Sequence, residues 1–118
     1  MEIWLHSLDS FFQANLNSVK IVPIYNPCIY DGSSWSLYSF NNSLIENYKA
    51  KRRIVIPEYR SDSFDVNKVL IEYHERAKDT FISHGFTVNS LRGFSNYMKN
   101  DGASINCLTK VMYRNIKN

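Results

Sequence analysis

The 118-residue chain has no long apolar run, no cysteine framework and no strong charge of one sign, and each absence removes a class of protein. The longest apolar stretches, Val19 to Tyr25 and Ile54 to Pro57, fall far short of the ~20 residues that cross a bilayer, and Lys20 and Pro57 interrupt them, so no membrane span is expected. Two cysteines, Cys28 and Cys107, allow at most one internal bridge. Their separation excludes a CxxC redox pair and a zinc ribbon, and His6, His74 and His84 show no metal spacing with either, so no metal or cofactor is expected. No signal peptide precedes the first charged residues, which points to a reducing, cytoplasmic setting. Fourteen Lys plus Arg against eleven Asp plus Glu leave +3, too mild an imbalance to argue for nucleic acid as a partner. The short basic run Lys49 to Arg53 and the tail cations Lys110, Arg114 and Lys117 read as solvated surface. No P-loop, dinucleotide fingerprint or Ser/His/Asp spacing occurs.

What is present is ordinary globular material, 44% hydrophobic and 21% charged, in one domain's length, so residues 1–118 are read as a single domain. A chain this size buries about two-thirds of its unfolded surface. Eight Tyr, seven Phe and two Trp therefore suggest that some aromatic surface meets a partner. Leu8, Phe11, Phe12 and Leu16 predict a short helix over Ser7 to Ser18, followed by a strand from Val19 to Tyr25 and a loop from Asn26 to Trp35. Leu37 to Asn47 and Arg53 to Tyr59 predict a hairpin. Asp65 is the expected N-cap of a helix whose apolar face carries Val66, Val69, Leu70, Tyr73, Ala77 and Phe81 and which stops at Gly85. Phe86 to Leu91 reads as a strand, Arg92 to Asp101 as a polar and aromatic stretch, and Ala103 to Arg114 as a final strand before the tail 115–118. This order is a mixed α/β pattern with a hairpin, a crossover helix and a returning strand.

Cys107 follows a glycine turn in DGASINCLTK and would be presented where a loop meets a sheet edge, a placement that suits a nucleophile because glycine lets the backbone approach a bound group. A small buried hydrophobe at the start of a strand is the competing reading. Cys28, between Pro27 and Ile29, reads as structural. His74 and His84 lie on the long helix and read as structural or solvated, while His6, in HSLDSFF, could be a base oriented by Asp9.

Four segments in order carry a resemblance: SFNNSLIEN from Ser39 to Asn47, IVIPEY from Ile54 to Tyr59, Asp65 opening a helix, and GASINCLT from Gly102 to Thr109. Together they resemble the C-terminal part of agmatine deiminase and its relatives among the guanidine-modifying penteins, over roughly Val19 to Arg114. The resemblance implies that Cys107 is the catalytic nucleophile and that Asn42, Pro57, Tyr59 and Asp65 shape the blade. It departs from the family pattern in two ways. The glycine run before the cysteine is reduced to Gly102, Ala103 and Ser104, with Asn106 where many deiminases have histidine. The family's histidine motif and acidic substrate clamps lie upstream of everything matched, and His6 with Asp9 is only a loose echo of them.

The implied fold is a partial pentein-type β/α propeller of about two ββαβ-like modules in residues 19–114, behind an N-terminal helix at 1–18. A complete pentein is a five-bladed ring, so a homo-oligomer or a complementary chain would be needed to close the site and cover the open sheet edges. The implied activity is thiolate attack on a guanidinium carbon of a guanidino small molecule, as a deiminase-type hydrolase or an amidinotransferase. The alternative is a non-catalytic interaction module that retains the blade and binds a protein through its edges and the aromatic loop Tyr30 to Phe40.

Overall fold

In the computed structural model, Ser10 and residues 21–109 are described. Strands β1 (Cys28–Tyr30) and β2 (Trp35–Leu37) form an antiparallel ribbon with Ile29 opposite Ser36 and Tyr30 opposite Trp35. Their connecting turn is held by Asp31, whose Oδ1 accepts the backbone N–H groups of Ser33 and Ser34 and the Ser33 hydroxyl, all at 2.9 Å. These three donors keep its carboxyl well below the usual carboxylate range.

The second sheet has the order β3-β4-β5. β3 (Leu44–Tyr48) and β4 (Lys51–Pro57) pair antiparallel from Leu44 opposite Val55 to Tyr48 opposite Lys51. Only Lys49 and Ala50 are left to turn the chain, and both take positive φ, +48° and +62°. A two-residue hairpin turn of this kind matches the twist of the strands, but residues with a Cβ are strained in it. β5 (Thr87–Leu91) pairs parallel to β4, Arg53 opposite Thr87 through Pro57 opposite Leu91. Parallel neighbours require a crossover, and α1 (Phe64–Ser83) supplies it. β3, β4, α1 and β5 therefore make one ββαβ unit.

Helix α1 buries Leu70, His74 and Ala77, spaced by four and three residues on one stripe. Tyr38, Phe40, Tyr59, Leu70, Ala77 and Met98 form a buried cluster, with Val66, Tyr73 and Phe81 packed against it. Ile54 and Ile56 of β4 are also fully buried. Met98 belongs to α2 (Ser95–Asp101), so this one core joins the ribbon, the ββαβ unit and the last helix.

A hairpin, a long helix that stops before Gly85 and a strand after it are present as expected, although the second hairpin strand runs Lys51–Pro57 rather than Arg53 to Tyr59, and the chain is a small mixed α/β fold. Several local expectations are corrected. The cap of α1 is Ser63, whose Oγ accepts the Val66 N–H and whose carbonyl accepts that of Asn67; Asp65 sits in the first turn, where its charge still favours the helix dipole. Residues 21–25 form no strand, and the expected loop from Asn26 contains β1. The expected strand Leu37 to Asn47 is broken at residues 38–43, so that its first residue belongs to β2 and its end to β3. Ser95 to Asp101 is helical, and residues 103–109 form a turn rather than a strand. One ββαβ unit is present among the described residues, where about two were expected. The helix expected at Ser7 to Ser18 lies outside the described residues apart from Ser10, as do His6, Asp9 and residues 110–118.

Candidate functional site

Two chain segments about sixty-five residues apart meet around Cys107. The first is the turn 40–43 between β2 and β3, set by side chains rather than by a ladder. Asn26 Oδ1 accepts the Phe40 N–H at 2.8 Å, and Asn26 Nδ2 donates to Asn41 Oδ1 at 2.7 Å. With Phe40 fully buried beneath it, this turn holds Asn42 in place.

The second segment begins at the end of α2. Gly102 is left-handed at φ +64°, and its N–H returns to the Met98 carbonyl while that of Ala103 returns to Tyr97. This is the turn that the glycine predicts, acting as a helix cap. Ser104 and Ile105 are fully buried and anchor the turn that exposes Asn106 and Cys107. The Leu108 N–H bonds the Ser104 carbonyl at 3.0 Å, and the Thr109 hydroxyl bonds that of Ile105 at 2.7 Å.

Asn42 joins the segments with both ends of its amide. Its Oδ1 accepts the backbone N–H groups of Asn106 at 2.7 Å and Cys107 at 3.3 Å, and its Nδ2 lies 3.0 Å from Cys107 Sγ. Asn106 Nδ2 donates to the Ser43 carbonyl at 3.1 Å. Beneath them the fully buried Tyr59 donates its hydroxyl to the Ser39 carbonyl at 2.7 Å and lies 2.8 Å from Ser104 Oγ. Burial pushes that hydroxyl up to about 12, and negative charge at Cys107 acts in the same direction.

Cys107 is exposed and unbridged, so the reading of it as a buried strand residue is set aside. It sits in a turn, not at a strand entrance. Its sulfur has Asn42 as its hydrogen-bond partner among the described residues. Neither described histidine joins it. His74 is buried, with Nε2 2.8 Å from Ser90 Oγ, and His84 Nδ1 lies 2.8 Å from the Thr80 carbonyl oxygen. Both thus take the structural role. Cys28 is exposed on β1 rather than packed away. Pro57 is buried at the end of β4, two residues before Tyr59.

Sequence reasoning missed Asn26, Ser43 and Ser104. Each is a short polar residue whose partner lies fourteen or more residues away, so no local pattern marks it. The basic run is also less free than its composition suggests. Arg52 donates to the His84 carbonyl at 3.1 Å and stacks on Phe86 at 4.5 Å, and Arg53 faces Glu46 at 3.9 Å.

An exposed thiol with an amide N–H donor aimed at its sulfur, on a turn whose backbone is tied down, has its direction fixed and its sulfur open to approach, the geometry that attack on an electrophile requires. No family model, curated protein or solved structure matches this chain.

Proposed function

We propose that this chain is a partial or degenerate guanidine-modifying protein, similar to the pentein agmatine deiminases, in which the Cys107 thiolate attacks a guanidinium carbon once an oligomer or a second chain completes the site. The observation that carries this reading is the junction of Asn42 with Cys107. It brings together two of the segments through which the sequence resembles that family. A third supplies Tyr59, which lies under the same turn. The ββαβ unit between them agrees with a propeller blade.

The junction also bears on the class of electrophile. Acyl transfer to cysteine develops an oxyanion, for which free backbone N–H groups beside the nucleophile are frequent donors. Here the N–H groups of Asn106 and Cys107 are both taken by Asn42 Oδ1. Attack on a guanidinium generates no oxyanion, because the carbon starts cationic and the adduct is relieved of that charge. In the proposed reaction the thiolate forms a C–S bond to give a neutral adduct, an acid from outside the described residues protonates one nitrogen, and that nitrogen leaves as ammonia, or as the substituted amine when the amidino group is to be transferred, so that a thiouronium remains. Water then adds to its carbon as a base takes one proton, the adduct expels the thiolate to become a protonated urea, and the urea releases the second proton to solvent; in the transfer branch an amine adds in place of water, gives up one proton and leaves as the new guanidinium. The base and the carboxylates that would hold the cation come from outside the described residues.

Competitive labelling with chloroacetamidine, a cationic amidine, and chloroacetamide, its neutral counterpart, tests this reading with Cys28 as the internal reference. A guanidinium-directed site labels Cys107 with a preference for the amidine about tenfold above that of Cys28. The same preference at both cysteines would sink the proposal.

A second reading is a non-catalytic interaction module, favoured by the outer face of the β1–β2 ribbon. Tyr30 and Trp35 stack at 5.2 Å there, and Trp35 is 69% exposed. Truncating Trp35 to Ala would abolish partner capture under this reading and leave Cys107 labelling unchanged.

A further inference from the structure

A cleft of about 630 Å³ opens between the β1–β2 ribbon, the segment that leads into α1 and the first turns of α2, a volume typical of small-molecule sites. Cys107, Asn42 and Tyr59 are not among its lining residues.

Tyr38 forms part of its wall. This side chain is 5% exposed, with its ring packed edge-on against Tyr59 at 5.3 Å in the core. Its hydroxyl has no hydrogen-bond partner among the described residues, and no unsatisfied side-chain polar atom there is sealed from solvent. The hydroxyl therefore opens at the cleft. It feels the charges of both Lys99 and Asp31, two other lining residues. A phenol otherwise committed to the core, with its one polar atom unpaired at a cavity wall, is a fixed hydrogen-bonding group awaiting an occupant.

The charges on the walls set the class of that occupant. Two carboxylates, Asp31 and Asp62, and two cations, Arg60 and Lys99, line the cleft. Lys99 Nζ stands 3.5 Å from Asp31 Oδ2 and remains 47% exposed, and Arg60 leans on Glu58 behind the wall. A polyanion would meet the two carboxylates, and a polycation the two basic groups. A ligand carrying one charge of each sign, separated by a few bonds, can answer both pairs at once.

We propose that this cleft binds a small zwitterion of the free amino-acid class, with the Tyr38 hydroxyl as its fixed hydrogen-bonding group. The ligand's carboxylate takes the Tyr38 O–H and the cation of Lys99 or Arg60, and its ammonium group faces Asp31 or Asp62.

The test is a titration of the isotope-labelled full chain with each of the twenty free L-amino acids, and with acetate and ethylamine as probes of each charge alone, followed by amide NMR shifts. At least one amino acid should give saturable shifts at Asp31, Ser95 and Asn96, and bind about tenfold more tightly than acetate or ethylamine. Tyr38→Phe keeps the ring and removes the hydroxyl. It should weaken that binding about three- to tenfold while the thermal midpoint and the spectrum of the core stay close to wild type. Lys99→Gln, on the exposed wall, should weaken it similarly without disturbing the core. The proposal is overturned by the absence of saturable shifts with every amino acid, by acetate binding as tightly as the best of them, or by Tyr38→Phe and Lys99→Gln both binding like wild type.

Discussion

The ββαβ unit and the Cys107 turn are held by different kinds of bond. In the unit, β3, β4 and β5 share a continuous backbone ladder, and Ile54 and Ile56 of β4 are fully buried. Any apolar residue of the right size at those positions would serve nearly as well. Residues 102–109 have no ladder. They are held by the Gly102 cap, two buried residues and the side chains of Asn42 and Tyr59 reaching in from far along the chain. Burial supplies the stability of the molecule in one region, and individual polar atoms set the direction of an exposed thiol in the other. The two regions can therefore be damaged separately.

The largest separation is expected from Leu70→Ala. Leu70 is fully buried in the core cluster, so its truncation should cost about 2–5 kcal/mol in urea unfolding. Cys107 reactivity in the fraction that remains folded should not change. A loss of reactivity larger than the loss of folded protein would show that the two regions are not separable.

Tyr59→Phe strikes their junction. The ring remains, but the Ser39 carbonyl and the Ser104 hydroxyl lose their partner, at a cost of about 1–3 kcal/mol. The hydroxyl also predicts a pH dependence. Its folded value, about 12, lies above a tyrosine's ordinary 10.0, so its contribution is complete below pH 10.0 and is lost as pH rises toward 12. Alkaline unfolding of wild type should therefore include a component that Tyr59→Phe lacks. Equal slopes in stability against pH for the two proteins would remove Tyr59 from this role.

Asn42→Ala should cost less than Tyr59→Phe, because Asn42 is only half-buried and water can replace part of what it gives. Its effect should be concentrated in the turn. Amide exchange at Asn106 and Cys107 should accelerate while exchange in β4 stays unchanged. Uniform acceleration would mean that the turn and the sheet open together.

The smallest effect is a gain. Ala50 holds φ at +62° in the hairpin turn, and Ala50→Gly should stabilise the chain by about 0.5–1 kcal/mol. A loss on this substitution would show that the turn carries no strain.

The same division explains what could be read from the residues alone. The spacing of Leu70, Tyr73, Ala77 and Phe81 repeats one helical stripe, and RIVIPEY is apolar enough to be a buried strand, so α1, β4 and the hairpin were legible. Ser63 and Asp65 are both good capping residues, and the backbone chooses between them: Ser63 is extended, with φ −71° and ψ 122°, and its carbonyl already serves the helix. Helix α2 has no apolar stripe of its own, burying only Met98, and Gly102 as its terminator was the signal that could have found it. The strand expected after Ala103 reflected real strand formers. At Ile105 and Thr109, however, local side-chain and backbone bonds close a turn instead. Cys107 was singled out by its glycine turn and by resemblance, and its exposure in that turn is what the structure adds. Asn26 and Ser104 were not found, since a polar residue in a loop looks the same whether or not a distant partner waits for it.

The central claim is that Asn42 directs Cys107 for attack, and the most direct measurement is the rate of iodoacetamide labelling at Cys107 relative to Cys28, read by mass spectrometry in wild type and Asn42→Ala. Both cysteines are exposed, so access alone predicts similar rates. The account predicts that Cys107 reacts faster in wild type and loses about tenfold of that advantage in Asn42→Ala, as the sulfur loses its hydrogen-bond donor and the turn its tie. Equal rates at the two cysteines in wild type, or a ratio unchanged by the substitution, would contradict it.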